Sequence, residues 1–520
     1  MAAPPEDDVF EKLKQKADPK EQEKRERELN ARIQAQYEKA QARVAELIGG
    51  NSTLPVQISE IRLLNATHTR RSFLSRIFQP LLKSDKNNTY TLSEALEGIT
   101  GAADRLTRFD IFHDPISVYI DTVTPPTTED AITQLSVFLS AKEKSRYTIK
   151  TGTEAGHAEG SAYLSVFLRN IFGGAESLSA NASLGTRTRS AYSLAFDTPL
   201  LSNPDIKWEI GGLTSSTLKE WASHEEAIKG GATKFKFLTS SGHRHEIGYS
   251  GTWRQITSLL TNASPTVRTD AGDSFKSSIS HTWVNDQRDF ALLPSKGYLM
   301  KTTTELAGWG PLKGDVAFAK VEAETQGAVP IPIPFLEGTA FTVGLRGGVL
   351  YPLSFGYGTS PPLMSRINDR FQLGGPTDVR GFRLSGMGPR DRNDAVGGDV
   401  YAAGGASILF PFPRVGKDTP LRLQAFINGG RLLALKDKPS GKSESGSEEK
   451  GSMSSAAVAD SVKRTINELG NGLPSCAAGI GLVYAHPAAR FEVNFSLPLV
   501  IRKGEEARKG LSFGVGVSFL

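Results

Sequence analysis

From about Lys142 to Leu520 apolar and polar residues take turns along short runs separated by glycine, proline, asparagine and serine. Between Arg490 and Leu497, Phe491, Val493, Phe495 and Leu497 fall on one side and Arg490, Glu492, Asn494 and Ser496 on the other. Side chains of an extended strand point alternately to opposite faces, so this period of two predicts a strand with one apolar and one polar face. The alternation recurs at Phe341, Val343, Leu345 and Val349 opposite Thr342 and Arg346, and at Leu421, Leu423, Ala425 and Ile427 opposite Arg422 and Gln424. Lys234 and Lys236 oppose Phe235 and Phe237. The chain ends on Leu511, Phe513, Val515, Val517 and Phe519 opposite Ser512, Gly514, Gly516 and Ser518. Charges that repeatedly take the inner face imply water inside, whereas a soluble sandwich turns its apolar faces inward. Alternation alone does not say which side is lipid. The apolar faces recur over about 380 residues, and lipid demands a closed sheet without free edges, so a membrane barrel is expected.

The first part of the chain has a different texture. Residues 6 to 48 carry 11 acidic and 10 basic side chains, with Leu29, Ile33, Tyr37, Ala40, Val44 and Leu47 at three- and four-residue spacing. That predicts a charged helix with a narrow apolar stripe over residues 1–50, closed by Gly49 and Gly50. It is either a solvated extension or a partner-docking helix. Residues 51–141 read as a compact α+β unit: a strand at Val56 to Leu64, a helix at Phe73 to Leu82, and a second helix opened by Thr91-Leu92-Ser93-Glu94. Strands follow at Phe109–Phe112, Ile116–Ile120 and Leu135–Leu139.

Composition narrows the function. Glycine is 52 of 520 residues, above the usual share of roughly 7%, which suits strands and turns. No apolar run of membrane-helix length exists, and this does not argue against a barrel, whose strands have ordinary average hydropathy. The acidic opening Met1 to Asp8 lacks the apolar core of a signal peptide. The single cysteine, Cys476, forbids an intrachain disulfide. A formal charge of +5 is small for this length, and nucleic-acid binding is not expected. His224-Glu225-Glu226-Ala227-Ile228 lacks the second histidine of a zinc-protease helix, and His243 with His245 supplies two ligands where a metal site needs more. Neither a phosphate-binding loop nor a cysteine pair is present, so the chain is expected to be no enzyme and to need no metal or cofactor. Residues 436–471 form a polar, glycine- and serine-rich insertion in which Ala456 to Leu469 suggests a short helix. It reads as a variable extramembrane loop or as a partner site.

The densest glycine cluster frames one arginine: Gly374-Gly375-Pro376-Thr377-Asp378-Val379-Arg380-Gly381-Phe382, continuing through Leu384, Gly386 and Gly388. Glycine allows positive φ and close backbone approach, so residues 374–388 are expected to be a structured loop. Val379, Arg380, Gly381 and Phe382 after a double glycine resemble the signature of the outer-membrane β-barrel assembly family. A surface turn holding one arginine is the alternative reading of the residues alone. The order of elements in residues 51–141 resembles one POTRA domain of the same family, whose open sheet edge either accepts a client strand or serves as a rigid spacer. Ser512, Gly514, Val517 and Phe519 resemble the β-signal of mitochondrial barrel proteins, with serine where a larger polar residue is usual. One POTRA-like unit without a signal is similar to the mitochondrial branch, the barrel subunit of the sorting and assembly machinery.

That resemblance implies a sixteen-stranded antiparallel transmembrane β-barrel over residues 142–520, in the mitochondrial outer membrane, with the POTRA unit in the intermembrane space. It implies an insertase for β-barrel precursors, working with peripheral subunits on the cytosolic side. A first strand near Arg146, Tyr147, Thr148, Ile149 and Lys150 and a last strand carrying the β-signal would form a lateral gate. The motif loop, between strands eleven and twelve, would fold into the barrel and press Arg380 against the inner wall. Relatives pair this arginine with aspartate in a Phe-x-Asp-x-Gly segment. The corresponding run here is Phe426-Ile427-Asn428-Gly429-Gly430, so Asn428 is one expected partner and Glu492 another. A passive pore or polypeptide channel of the same architecture is the alternative function.

Overall fold

A computed structural model describes residues 46–82, 90–122, 132–156, 159–332, 337–356, 362–412, 419–435, 455–487 and 489–516, with helical positions scattered between 31 and 43. It divides into two compact units, residues 1–144 and 145–520. Most of the stripe expected on the N-terminal helix (Leu29, Ile33, Tyr37, Ala40 and Val44) lies outside the described residues. Helix continues through Gly49 and Gly50 to a turn at Asn51, whose N–H donates to Leu47 O at 3.2 Å. The two glycines therefore form the last turn and do not cap it.

The first unit holds β1 (Pro55–Leu64), α1 (Arg71–Leu82), β2 (Tyr90–Thr91), α2 (Leu92–Arg108), β3 (Ser117–Thr122) and β4 (Thr133–Ser140). Its sheet order is β2-β1-β4-β3, with β1 and β4 parallel. Thr91 caps α2: its hydroxyl accepts from Glu94 N at 3.3 Å, and Glu94 Oε2 accepts from Thr91 N at 3.0 Å, satisfying two free donors of the helix end. Buried Phe73 and Ile77 of α1 and Ala95, Ile99 and Leu106 of α2 cover one face of the sheet. The strand expected at Phe109–Phe112 is instead a turn with one isolated bridge from Phe112 to Glu143. Asp110 takes a positive φ of 59° there, while Phe109, Ile111 and Phe112 are buried. Apolar residues that fill a core at a helix exit imitate a strand in sequence.

The second unit is one antiparallel sheet. Its first strands are β5 (Tyr147–Gly156), β6 (Glu159–Arg169), β7 (Ser177–Gly185), β8 (Thr188–Pro199), β9 (Ile206–Lys219), β10 (His224–Leu238) and β11 (Arg244–Thr257). After the short α3 (Pro265–Thr269) come β12 (Gly272–Asp286), β13 (Gly297–Ala307), β14 (Phe318–Pro330) and β15 (Ala340–Pro352). A long loop carries the two-residue strands β16 (Arg390–Asp391) and β17 (Asp394–Ala395). The sheet resumes with β18 (Val400–Pro411) and β19 (Leu421–Leu433), then α4 (Ser455–Asn471), β20 (Ser475–His486), β21 (Ala489–Val500) and β22 (Gly510–Gly516). Sixteen strands pair in chain order, β15 joining β18 across the loop. The end strands β5 and β22 come within 8 Å of each other. Among the described residues no ladder joins them.

Period two decides which way each side chain points. Even positions of β15 face inward, where Arg346 pairs with Glu324 at 3.0 Å. Odd positions such as Leu345 face outward and are 57% exposed. Inside β9 to β13, Lys234 meets Glu246 at 2.8 Å, Lys276 meets Glu305 at 2.7 Å, and Lys236 bonds Glu209. An ion-paired interior behind an apolar exterior is the inverse of a soluble core and fits a wall standing in lipid. The first strand is displaced from its expected place: Arg146 precedes it and β5 runs on to Gly156, past Lys150. Gly152 permits this, since a Cβ there would lie 2.8 Å from the Tyr163 ring that covers it.

Candidate functional site

The loop between β15 and β18 is built from its glycines inward. Gly374, Gly375 and Gly381 hold φ of 106°, 137° and 86°, values at which a Cβ is strained. They bend the chain so that Asp378 accepts from Gly374 N at 2.9 Å and Asp378 N–H donates to Gly375 O at 3.2 Å. Val379 and Phe382, both buried, drop into an apolar cluster with Phe318 and Leu350 of the wall and Leu373 and Met387 of the loop itself. A Cβ on Gly381 would lie 2.7 Å from the Ala477 Cβ, so the loop backbone touches the wall at that point.

Arg380, between those two anchors, is 1% exposed. Its Nε donates to Glu492 Oε2 at 2.9 Å and its Nη2 to Oε1 at 3.2 Å, the two-pronged fit of a planar guanidinium to a carboxylate. The guanidinium also lies 4.8 Å over the Phe426 ring. Glu492 is itself fully buried and accepts from Asn494 Nδ2 at 2.7 Å and Arg490 Nη2 at 2.6 Å. One carboxylate thus serves two arginines, Arg380 from the loop and Arg490 from β21. The stacking requires bare strand beneath it: a Cβ on Gly479 would sit 2.6 Å from Phe426 Cζ, and one on Gly481 would collide with Asn494 Oδ1 at 1.9 Å.

Of the expected partners, Glu492 meets Arg380, and Asn428 does not. Asn428 is buried, and neither its Oδ1 nor its Nδ2 finds a hydrogen-bond partner among the described residues. An amide adds no charge to offset a guanidinium, and the carboxylate two strands away outcompetes it. Phe426, Arg490, Asn494, Gly479 and Gly481 complete the site without having been singled out for this role. Their signal was present as a charged pair two apart, Arg490 and Glu492, and as glycines two apart on one strand face.

Beyond Phe382 the loop is tied to the segment before β22. Arg383 N–H donates to Glu506 O at 3.0 Å, Arg508 N–H to Gly381 O at 2.8 Å, and Glu506 N–H to Gly386 O at 2.8 Å. Arg390 meets Glu506 at 2.7 Å. Of the expected last-strand residues, Ser512 and Gly514 lie in β22 facing inward, with Ser512 Oγ donating to Asn494 O at 3.3 Å. Val517 and Phe519 lie outside the described residues. Tyr147 and Ile149 of β5 point outward and are exposed, with Thr148 and Lys150 on the opposite face.

Sixteen antiparallel strands with an ion-paired interior and a glycine-framed arginine loop bonded to the inner wall define an outer-membrane β-barrel of the assembly type. Residues 170–519 match the Omp85 superfamily domain. A SAM50-like protein of Schizosaccharomyces pombe is 36% identical over 479 residues, 92% of this chain and 94% of the relative. The sorting and assembly machinery component 50 homolog of Bos taurus is 32% identical over 435 residues, 82% of this chain and 84% of that protein. The crystal structure of BamA from Haemophilus ducreyi lacking POTRA domains 1–3 shares the fold at a TM-score of 0.66 and 14% identity, covering 89% of this chain and 84% of that one. The chain belongs to the sorting and assembly machinery component 50 family, within the Omp85 superfamily.

Proposed function

We propose that this protein folds β-barrel precursors and inserts them into the mitochondrial outer membrane through a lateral gate between β5 and β22. An unpaired strand edge is costly in hydrocarbon because every exposed backbone group lacks a partner. A precursor's β-signal pairs with the edge formed by Arg146 and the start of β5, Tyr147 through Lys150, in place of the resident strand with Ser512 and Gly514 and, after it, Val517 and Phe519. Later hairpins add in turn until the new barrel closes. Strand exchange conserves hydrogen bonds, so no step calls for catalysis, a cofactor or a nucleotide. In this reading the POTRA unit lies in the intermembrane space, and peripheral machinery subunits bind the cytosolic rim.

One observation carries the reading: every neighbouring strand pair in the sheet shares a ladder except β5 and β22 among the described residues. Glycines 514 and 516 leave β22 with little inward packing, as suits an edge that must let go. Arg380 acts as the strut that holds the loop against the wall while the seam opens. The test is to stall a precursor in mitochondria and crosslink it from Arg146 and from Ser512. The β-signal should be captured from both positions. Capture from neither would favour a passive pore. Arg380→Ala should slow precursor assembly while this barrel still enters the membrane, and unchanged assembly kinetics would remove the strut.

A further inference from the structure

Arg431 stands on the wrong face of its strand. In β19 the inward positions are even, with Gln424, Phe426, Asn428 and Leu432 buried against the lumen. Arg431 therefore shares the outward face with Ile427, which is 52% exposed. A cation on a lipid-facing wall is expensive unless it snorkels or is covered. Here it is covered by α4. Its Nη1 donates to Glu468 O and, at 3.2 Å, to Leu469 O, carbonyls of the helix's last turn, where a cation is favoured. Val458 and Val462 of α4 pack on Leu435 and on Val349 and Tyr351, outward positions of β15. The helix therefore crosses the outside of the wall from β15 to β19. Just past it, Arg502 Nη2 holds Leu473 O at 2.7 Å, and the two guanidiniums meet around Gly472.

Below this belt the outer wall is hollowed. Ala406, Ala425 and Ala478 form the floor and Ile427, Ile480 and Phe495 the sides of an apolar groove of ≈ 590 Å³. Its outward column on β19 leads through Gly429 to Arg431. Lys463 and Arg464 lie exposed on the free side of α4 and form no ion pair among the described residues. Ile466 on the same helix is 43% exposed, and Leu473, just past its end, is 79% exposed. We propose that the groove and the cations of α4 and Arg502 form a binding site for one anionic phospholipid of the surrounding leaflet, with acyl chains in the groove and phosphate at Lys463, Arg464 and Arg502. The pairing of an apolar groove with a cationic ledge at its end matches the two halves of such a molecule, and the amphipathic α4 marks the depth at which they meet.

The test uses the full chain in nanodiscs of equal phosphatidylserine and phosphatidylcholine, followed by detergent release and native mass spectrometry of retained lipid. Phosphatidylserine should be retained with roughly tenfold preference. Lys463→Gln with Arg464→Gln and Arg502→Gln should erase the preference yet keep a bound lipid. Ala425→Phe with Ala478→Phe, on lipid-facing positions that leave the lumen untouched, should abolish retention. Heat-modifiable gel migration verifies that each variant is folded. Retention unchanged by the filled groove, or a preference unchanged by removing the cations, overturns the proposal. So does displacement of the lipid by millimolar inorganic phosphate with the groove variant behaving as wild type, which would mark an anion site alone.

Discussion

Glu492→Gln is the sharpest probe of the arginine site. The substitution keeps shape and removes the one negative charge shared by Arg380 and Arg490, whose nearest contacts with it are 2.9 and 2.6 Å. Removing one partner of a buried ion pair costs about 3–5 kcal/mol, because the remaining charge is left uncompensated. Two arginines are stranded here, so the upper part of that range is expected. At 1.4 kcal/mol per tenfold, docking of the loop should weaken by about 1000-fold. Hydrogen exchange followed by mass spectrometry reads this directly. The amides of Arg383 and Arg508 are protected only while the loop is docked on residues 501–509, and both should exchange faster by that factor. Amides in β10 to β12 should not change. Arg380→Ala should produce much of the same effect, and the two substitutions together should cost at least 1 kcal/mol less than their sum, as partners in one network do. Additive effects, or loop amides that exchange at the wild-type rate in Glu492→Gln, would refute the reasoning.

Two further outcomes follow from other parts of the chain. Gly381→Ala places a Cβ at a φ of 86° and 2.7 Å from Ala477 Cβ; a strain of roughly 1–2 kcal/mol should loosen the same amides even with Arg380 and Glu492 intact, and unchanged protection would mean that the loop backbone stands off the wall. In the first unit, burial raises the Glu143 carboxyl, but hydrogen bonds from Thr69 and His68 and the charge of His68 outweigh it, so its pKa is lowered overall. A depressed acid contributes stability above its unfolded pKa and loses it as pH falls through the folded value. Exchange at the amides of His68 and Thr69, which donate to Glu143 at 3.1 Å, should therefore quicken below the ordinary carboxylate range, and Glu143→Gln should remove that pH dependence.

How much could be read from the chain depended on whether an element's reason is local. Alternation in β15, β19 and β21 was plain because each residue's face is set by its own position. The capping pair Thr91 and Glu94 was equally plain, since both halves lie within one turn. Phe109–Phe112 deceived because apolar density reports burial and carries no backbone geometry; the positive φ at Asp110 left no mark a reader would weigh. At the arginine site the sequence marked the loop but not its partner. Asn428 drew attention through a motif, while the choice of Glu492 over it depends on three strands' register, a non-local fact. Arg431 shows the same limit: its parity was legible, and the helix that covers it begins 24 residues later.

Phe382 and Ala507 form a single backbone bridge, and β22 starts at Gly510. Three residues of fully stretched chain reach only about 10 Å. While the bridge holds, the final ribbon is on a short leash whose far end is nailed to the same loop that Arg380 clamps. Any swing of that ribbon beyond the leash would have to pull on the arginine loop first, so the last strand and the fixed interior of this protein share one mechanical linkage.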